Sequence, residues 1–257
     1  MSTYHFIAGL PRSGSTLLST ILNQNPRFEA CISSPLARFV RAVVDQSSAQ
    51  GGYRHMCPED KRKAIIHGIF KNYYNNPDKE VFFNTNRGWP LLLPMVKDLY
   101  PASKVILCVR DIPSILNSFE KLVRKNPYTK NNIFPDEYNI NVYTRCSYLM
   151  DQSSTLGFAY MAIKHCLTSD ERNMLFILEY ENLCKQPEQM IKALYNFIGE
   201  EPFEHDFNNV EASYSEFDND VQIAGMHTTR KKVEWVDQQL IIPPDIIAQY
   251  SNLEVWR

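Results

Sequence analysis

The sequence has no apolar run approaching the ~18 residues that a membrane-spanning helix needs, so no membrane association is expected. It has no basic surplus: 27 Lys and Arg stand against 29 Asp and Glu, a formal net charge of −2. A general polyanion binder would carry a strongly basic balance. Nucleic acid is therefore not an expected partner, whereas a local basic pocket for one anionic ligand stays open. Cysteine is sparse and scattered, at Cys31, Cys57, Cys108, Cys146, Cys166 and Cys184. There is no C-x-x-C pair and no Cys/His cluster at zinc spacing, so reduced, mostly buried thiols and no metal site are expected. Internal repeats, low-complexity tracts and Gly/Ser-rich linkers are all missing. The chain enters a strand-like segment at residues 4–8 without a basic and then apolar leader, and the expected location is the cytoplasm.

What is present is ordinary globular composition, 44% hydrophobic and 22% charged over 257 residues, enough to bury a core unaided. Short apolar runs alternate with amphipathic stretches, the pattern of βαβ units around a parallel sheet. Strands are expected at 4–8, 28–32, 81–84, 104–109 and 175–178. Helices are expected after Gly14, over 36–46, from Pro58 to about 74, over 90–100 and over 113–125. A long helical region follows at about 141–167, then a short helix that starts at 186–188 and ends near Gly199, a plausible C-cap. Pro58, Pro90 and Pro113 suit the first turn of a helix. Residues 125–139 and 203–232 have no clear period, and irregular stretches of that length are usually lids or binding loops. The expected fold is a single α/β, P-loop-like domain, residues 1–257, with a central parallel sheet of about five strands flanked by helices.

The strongest local signal runs from Phe6 to Leu18: an apolar strand, a turn with Gly9 and Gly14, then an apolar helix. Glycines let the backbone approach a ligand, and consecutive N–H groups with the helix dipole bind an anion. Gly9 and Gly14 have the spacing of a nucleotide P-loop. The P-loop lysine, however, is replaced by Ser15, and the cation sits earlier, at Arg12. An ATPase needs that lysine on its β- and γ-phosphates. One sulfonyl group beside a 5′-phosphate does not.

The second signal is a buried strand that ends at Arg110, with a helix starting near Pro113. Ligands of open α/β sheets bind at the carboxyl ends of the strands, so Arg110 belongs to the same rim as the glycine turn. Ser118 lies in the second helical turn, where its hydroxyl can face back toward the guanidinium. A fixed cation with a hydroxyl donor suits a second, separate phosphate. Asp111 as a Walker-B aspartate, or as a rim ion pair with Arg110, is the competing account.

With these residues in place the sequence resembles the sulfotransferases that use 3′-phosphoadenosine 5′-phosphosulfate (PAPS), specifically a small bacterial branch related to the tyrosylprotein enzymes. Pro11-Arg12-Ser13-Gly14-Ser15-Thr16 resembles the family's 5′-phosphosulfate loop, in which cytosolic members carry lysine at the Arg12 position. Arg110 and Ser118 resemble its 3′-phosphate motif. The segment 178–183, with Tyr180, is similar to a tyrosine-bearing turn near the nucleotide. Arg230, Lys231 and Lys232 are candidates for a late basic loop over the 3′-phosphate, against the plainer reading of a solvated charge run.

The resemblance implies in-line transfer of a sulfuryl group from PAPS to a hydroxyl or amine of a small acceptor, releasing 3′-phosphoadenosine 5′-phosphate (PAP), with no metal. Arg12 and the N–H groups of residues 13–16 would stabilise the departing phosphate oxygen. The general base is not where the family keeps it. Glu29 comes too early for the tyrosylprotein glutamate, and the stretch 83–89 has no histidine where cytosolic members carry one. Arg87 is a candidate to steady the sulfuryl group or acceptor, and His227 is the best-placed spare base. The alternatives are a P-loop-type small-metabolite kinase and a non-catalytic nucleotide-binding regulator.

Overall fold

A computed structural model describes residues 2–48 and 51–257. Five strands, β1 (Thr3–Gly9), β2 (Phe28–Ala30), β3 (Val81–Thr85), β4 (Val105–Val109) and β5 (Leu175–Glu179), form one sheet in the order β2-β3-β1-β4-β5. All four pairings are parallel. Purely parallel sheets need cover on both faces, and the residues supply it by alternation. Phe6, Ala8, Val105, Leu107 and Val109 face one core. Ile7, Ile106, Cys108 and Leu178 face the other.

On the second face pack α1 (Ser15–Leu22), through Leu18, Ile21 and Leu22, and α9 (Pro187–Ile198), through Ile191, Leu194 and Ile198. The first face is covered by α2 (Leu36–Gln46), α3 (Glu59–Tyr73), α4 (Leu93–Leu99), α5 (Ile112–Lys125) and α7 (Thr155–Leu167), together with α11 (Pro244–Tyr250) near the C-terminus. Each amphipathic helix pays for its order by burying one apolar stripe.

Two departures from the sequence expectation have local causes. The helical region 141–167 is two helices, α6 (Val142–Met150) and α7. Asn141 starts α6 with a reciprocal capping box shared with Thr144. Asp151 stops it, because its carboxylate accepts from the backbone N–H of Ser153 at 2.8 Å and turns the chain. The segment 203–232 is not featureless either. Main-chain bonds from Val210 N–H to the Lys231 carbonyl, 2.8 Å, and from Val233 N–H to the Phe207 carbonyl, 2.8 Å, zip its two ends together. They hold the short α10 (Ser215–Val221) between them. After β5 the chain turns into α8 (Tyr180–Lys185), which was not anticipated as a helix.

Strand β1 sits between β3 and β4, and the connections after β1 and β4 leave toward opposite edges of the sheet. A crevice forms at such a reversal, outside the carboxyl ends of the strands. Gly9 pairs in register with Cys108, which brings the turn after β1 directly beside the end of β4. Gly9 is obligatory there. Its φ is +119°, and a Cβ would lie 2.0 Å from the Cys108 carbonyl oxygen.

Candidate active site

The crevice is a cavity of about 1030 Å³. Its floor is the turn between β1 and α1. Arg12 adopts φ 59° and Gly14 φ 95°, two left-handed steps on either side of Ser13 that curl the turn and its N–H groups toward the cavity. Gly14 is the N-cap of α1, no side chain caps the helix, and its first turn holds no acidic residue. The unpaired N–H groups of the first turn therefore open on the cavity, which Gly14, Ser15 and Thr16 border.

Ser13 does something else. Its buried hydroxyl donates to the Cys108 carbonyl at 2.8 Å and clamps the turn to β4. Pro11 is buried behind the turn. Neither residue borders the cavity; Ser13 has only its N–H to offer a ligand, and Pro11 has no N–H at all.

Arg12 and Arg110 share this cavity. Arg12 donates through Nε to Ser118 Oγ at 3.1 Å and through Nη1 to the Met226 carbonyl. Burial, then the charge of Arg110, pushes its pKa down to about 10, against the opposing pull of Tyr180 and Asp218. Arg110 is only 9% exposed. It donates to the Arg12 carbonyl at 3.3 Å, lies 4.6 Å from the centre of the Tyr180 ring, and leaves its buried Nε with no partner. Ser118 is thus on the anticipated face but holds Arg12 rather than Arg110.

Asp111 takes neither competing role. It accepts from the Ser114 N–H at 2.9 Å as the N-cap of α5, it does not border the cavity, and among the described residues Arg110 has no carboxylate partner. Two guanidiniums thus border one cavity, and the charge of Arg110 bears on Arg12. An anionic ligand there would offset that repulsion.

Tyr180 is the piece that fixes this geometry. A Cβ on Gly14 would come within 2.7 Å of its ring, so the glycine lets the ring lie flat beside the turn while its face carries Arg110. Burial raises the pKa of its phenol, and the ring stays neutral.

The opposite wall comes from β3. The Asn86 side chain accepts from the Gly88 N–H at 2.8 Å and donates to the Ser34 carbonyl at 2.7 Å. This tight turn thrusts Arg87 into the cavity. The residue as a whole is exposed, yet the surrounding protein lowers the pKa of its guanidinium by desolvation. It makes no ion pair among the described residues. Glu29 is remote: it is paired with Phe82 in the sheet and accepts from Asn76 at 3.0 Å.

The segment between α10 and residue 233 forms the roof. His227, Arg230 and Lys232 border the cavity, whereas Lys231 does not; its carbonyl closes the ladder to Val210. Arg230 is close enough to lower the pKa of Tyr180. His227 is not alone. Its Nδ1 lies 2.7 Å from Asp218 Oδ1, and the buried Asp218 also accepts from the N–H groups of Gly225 and His227 at 3.0 Å each. Nothing in the sequence signalled Asp218, since its pairing lies inside a segment without periodicity. Of the described residues bordering the cavity, Glu234 is the one carboxylate.

A parallel sheet with a glycine turn at its switch point and two guanidiniums on one rim suits the binding of an anionic ligand at the carboxyl ends of the strands. A family model described as "Sulfotransferase family" matches residues 5–205, and the chain belongs to that family; it is a sulfotransferase. It is 24% identical over 248 residues to a putative protein-tyrosine sulfotransferase of Caenorhabditis briggsae, spanning 90% of this chain and 80% of the relative. Its fold is similar to the sulfotransferase domain of the Synechococcus PCC 7002 olefin synthase, with a TM-score of 0.53, 17% identity and coverage of 96% and 93% of the two chains. It is also similar to retinol dehydratase in complex with androsterone and inactive cofactor PAP, with a TM-score of 0.59, 14% identity and coverage of 97% and 79%.

Among the described residues no helix is long and apolar enough to cross a membrane. None of their His, Cys, Asp and Glu side chains group as three or more potential metal ligands. The six cysteines are free, and burial pushes Cys108, Cys146 and Cys166 up to about 12.

Proposed function

We propose that the protein moves a sulfuryl group from PAPS to a hydroxyl or amine of a small-molecule acceptor in the cytoplasm, and releases PAP. The observation that carries this reading is the pair Arg12 and Arg110 on one rim, with the buried Arg110 Nε unpartnered. PAPS offers anionic groups at both ends of its ribose, and two cation sites beside one nucleotide-sized crevice match it. The volume, about 1030 Å³, leaves room for an acceptor next to the nucleotide.

The first turn of α1 and Arg12 bind the 5′-phosphosulfate, and Arg110 with Ser118 binds the 3′-phosphate. Tyr180 keeps Arg110 flat, and Arg230 and Lys232 close over the nucleotide; Lys231 contributes to this loop only through its backbone. In the transfer the acceptor atom approaches sulfur opposite the phosphate oxygen that leaves. Arg12 and the N–H groups of residues 13–16 are in place before that charge develops, so little reorganisation is needed. Arg87 steadies the sulfuryl oxygens from the β3 side. His227 is the general base. The chain supplies this chemistry without a metal, since a sulfuryl group carries less charge than a phosphoryl group.

The test is transfer of labelled sulfur from PAPS to a panel of hydroxyl- and amine-bearing metabolites, alongside thermal shifts with PAP, ATP and ATP–Mg²⁺. The reading expects label in an acceptor and stabilisation by PAP. Stabilisation by ATP–Mg²⁺ but not PAP would favour the kinase reading. PAP binding without transfer to any acceptor or to water would favour a nucleotide-binding regulator.

A further inference from the structure

We propose that Asp218 is a positioning residue that holds His227 as the Nδ1–H tautomer, leaving Nε2 free as the proton acceptor of the sulfuryl transfer. This rests on the reading of the cavity as a sulfuryl-transfer site, and it adds the device that makes a lone loop histidine competent. Asp218 is 4% exposed and spends both carboxylate oxygens on one turn. Oδ2 takes the Gly225 N–H, while Oδ1 takes the His227 N–H and Nδ1 of the same ring. A carboxylate only accepts, so Nδ1 must carry the proton and Nε2 the lone pair.

The Phe217 ring, 4.6 Å away and edge-on to the imidazole, restrains its rotation. The same turn presents the Met226 carbonyl to Arg12, which ties the base to the loop that grips the departing phosphate. His227 itself borders the cavity.

The charged groups acting on the imidazole are Asp218 from α10, Arg12 from the turn after β1 and Arg87 from the turn after β3. Burial lowers the His227 pKa below 6.5. Asp218 raises it and the two arginines lower it. The net direction keeps the ring neutral at pH 7, the state a base requires. In the step itself, an acceptor oxygen lone pair forms the O–S bond. The bond from sulfur to the 5′-phosphate oxygen breaks with its electron pair on that oxygen, and the acceptor proton passes to Nε2. The imidazolium so formed is held by the Asp218 carboxylate.

The proposal is tested with nitrogen-15 NMR of His227 in the PAP complex, and with PAPS hydrolysis, where water is the acceptor, for the wild type, Asp218→Asn, Asp218→Glu and His227→Ala. The wild type is expected to show the neutral Nδ1–H tautomer. His227→Ala should slow hydrolysis by roughly 10²–10⁴-fold. Asp218→Asn should slow it on the order of 10- to 100-fold, and Asp218→Glu should recover part of that loss. The acid limb of the Asp218→Asn profile should move to lower pH, because the influence that raised the His227 pKa is gone. PAP affinity should stay at the wild-type value in His227→Ala, which keeps the Asp218 bond to the Gly225 N–H and the turn that meets Arg12.

A wild-type Nε2–H tautomer, which needs no variant to observe, overturns the proposal. So does an Asp218→Asn enzyme with unchanged rate and acid limb. Failure of the wild type to bind PAP is a separate result: it overturns the donor reading and this proposal with it.

Discussion

Replacing Arg110 with alanine removes one of the two proposed phosphate sites and leaves the other intact. The guanidinium is almost fully buried, rests on Tyr180, and has an Nε with nothing to donate to. Its cost of burial is already met in the free protein, so a 3′-phosphate gains a charge-assisted bond without further desolvating the arginine. Such a bond is worth ~1.5–3 kcal/mol, which converts to a loss of roughly 10- to 100-fold in PAP affinity. Stacking on Tyr180 is intramolecular and adds nothing to this difference. Arg110→Lys should recover only part of the loss, since an ammonium keeps the charge but not the fork or the flat face. Calorimetric titration with PAP and, in parallel, with adenosine 5′-phosphate reads the site directly. The 5′-monophosphate lacks the group that Arg110 binds, so its affinity should be unchanged in the variant. If Arg110→Ala binds PAP as the wild type does, or weakens both ligands equally, the assignment of the 3′-phosphate is wrong.

Three further outcomes follow from the same geometry. Gly14→Ala places a methyl 2.7 Å from the Tyr180 ring at φ 95°; the ring must leave Arg110, and PAP affinity should fall at least as far as in Arg110→Ala, with the fold retained by circular dichroism. Gly9→Ala meets the Cys108 carbonyl at 2.0 Å, and main chain cannot yield as a side chain does, so its melting temperature should drop well below that of Gly14→Ala. His5, buried on β1 with its pKa pushed down to about 4 by burial and Lys104, contributes stability that is fully present above its unfolded pKa of about 6.5. That stability is lost as the pH falls toward 4, a change of about 3 kcal/mol, and urea midpoints between pH 7 and 4 should fall less steeply in His5→Gln.

The sheet was legible because its strands are short apolar runs bounded by turns, and strands buried on both faces have little other composition open to them. Residues 104–109 and 175–178 lie within a residue of β4 and β5 as observed. Strand β2 is shorter than expected, since only Phe28–Ala30 pairs with β3 before the chain bends toward α2. The break at Asp151 was hidden, as the apolar spacing of α6 continues into α7 and only a side-chain turn interrupts it. Arg12, Arg110 and Tyr180 could be read together because each stands at a strand end on the same rim, a placement that follows from topology. The Ser118 partner could not, because the Arg12 side chain had to be located before its bond could be seen. The roof was the least legible part. Its order comes from a ladder between residues 207–212 and 229–233 and from Asp218 bonding to a turn seven to nine residues later, and neither leaves a period in the sequence.

A crystal structure with PAP tests the central claim most directly. The 5′-phosphate is expected against Arg12 and the N–H groups at the start of α1, and the 3′-phosphate against Arg110 and Ser118, with the ribose spanning the rim between β1 and β4. A nucleotide bound in the reverse direction, or seated away from both guanidiniums, would contradict it.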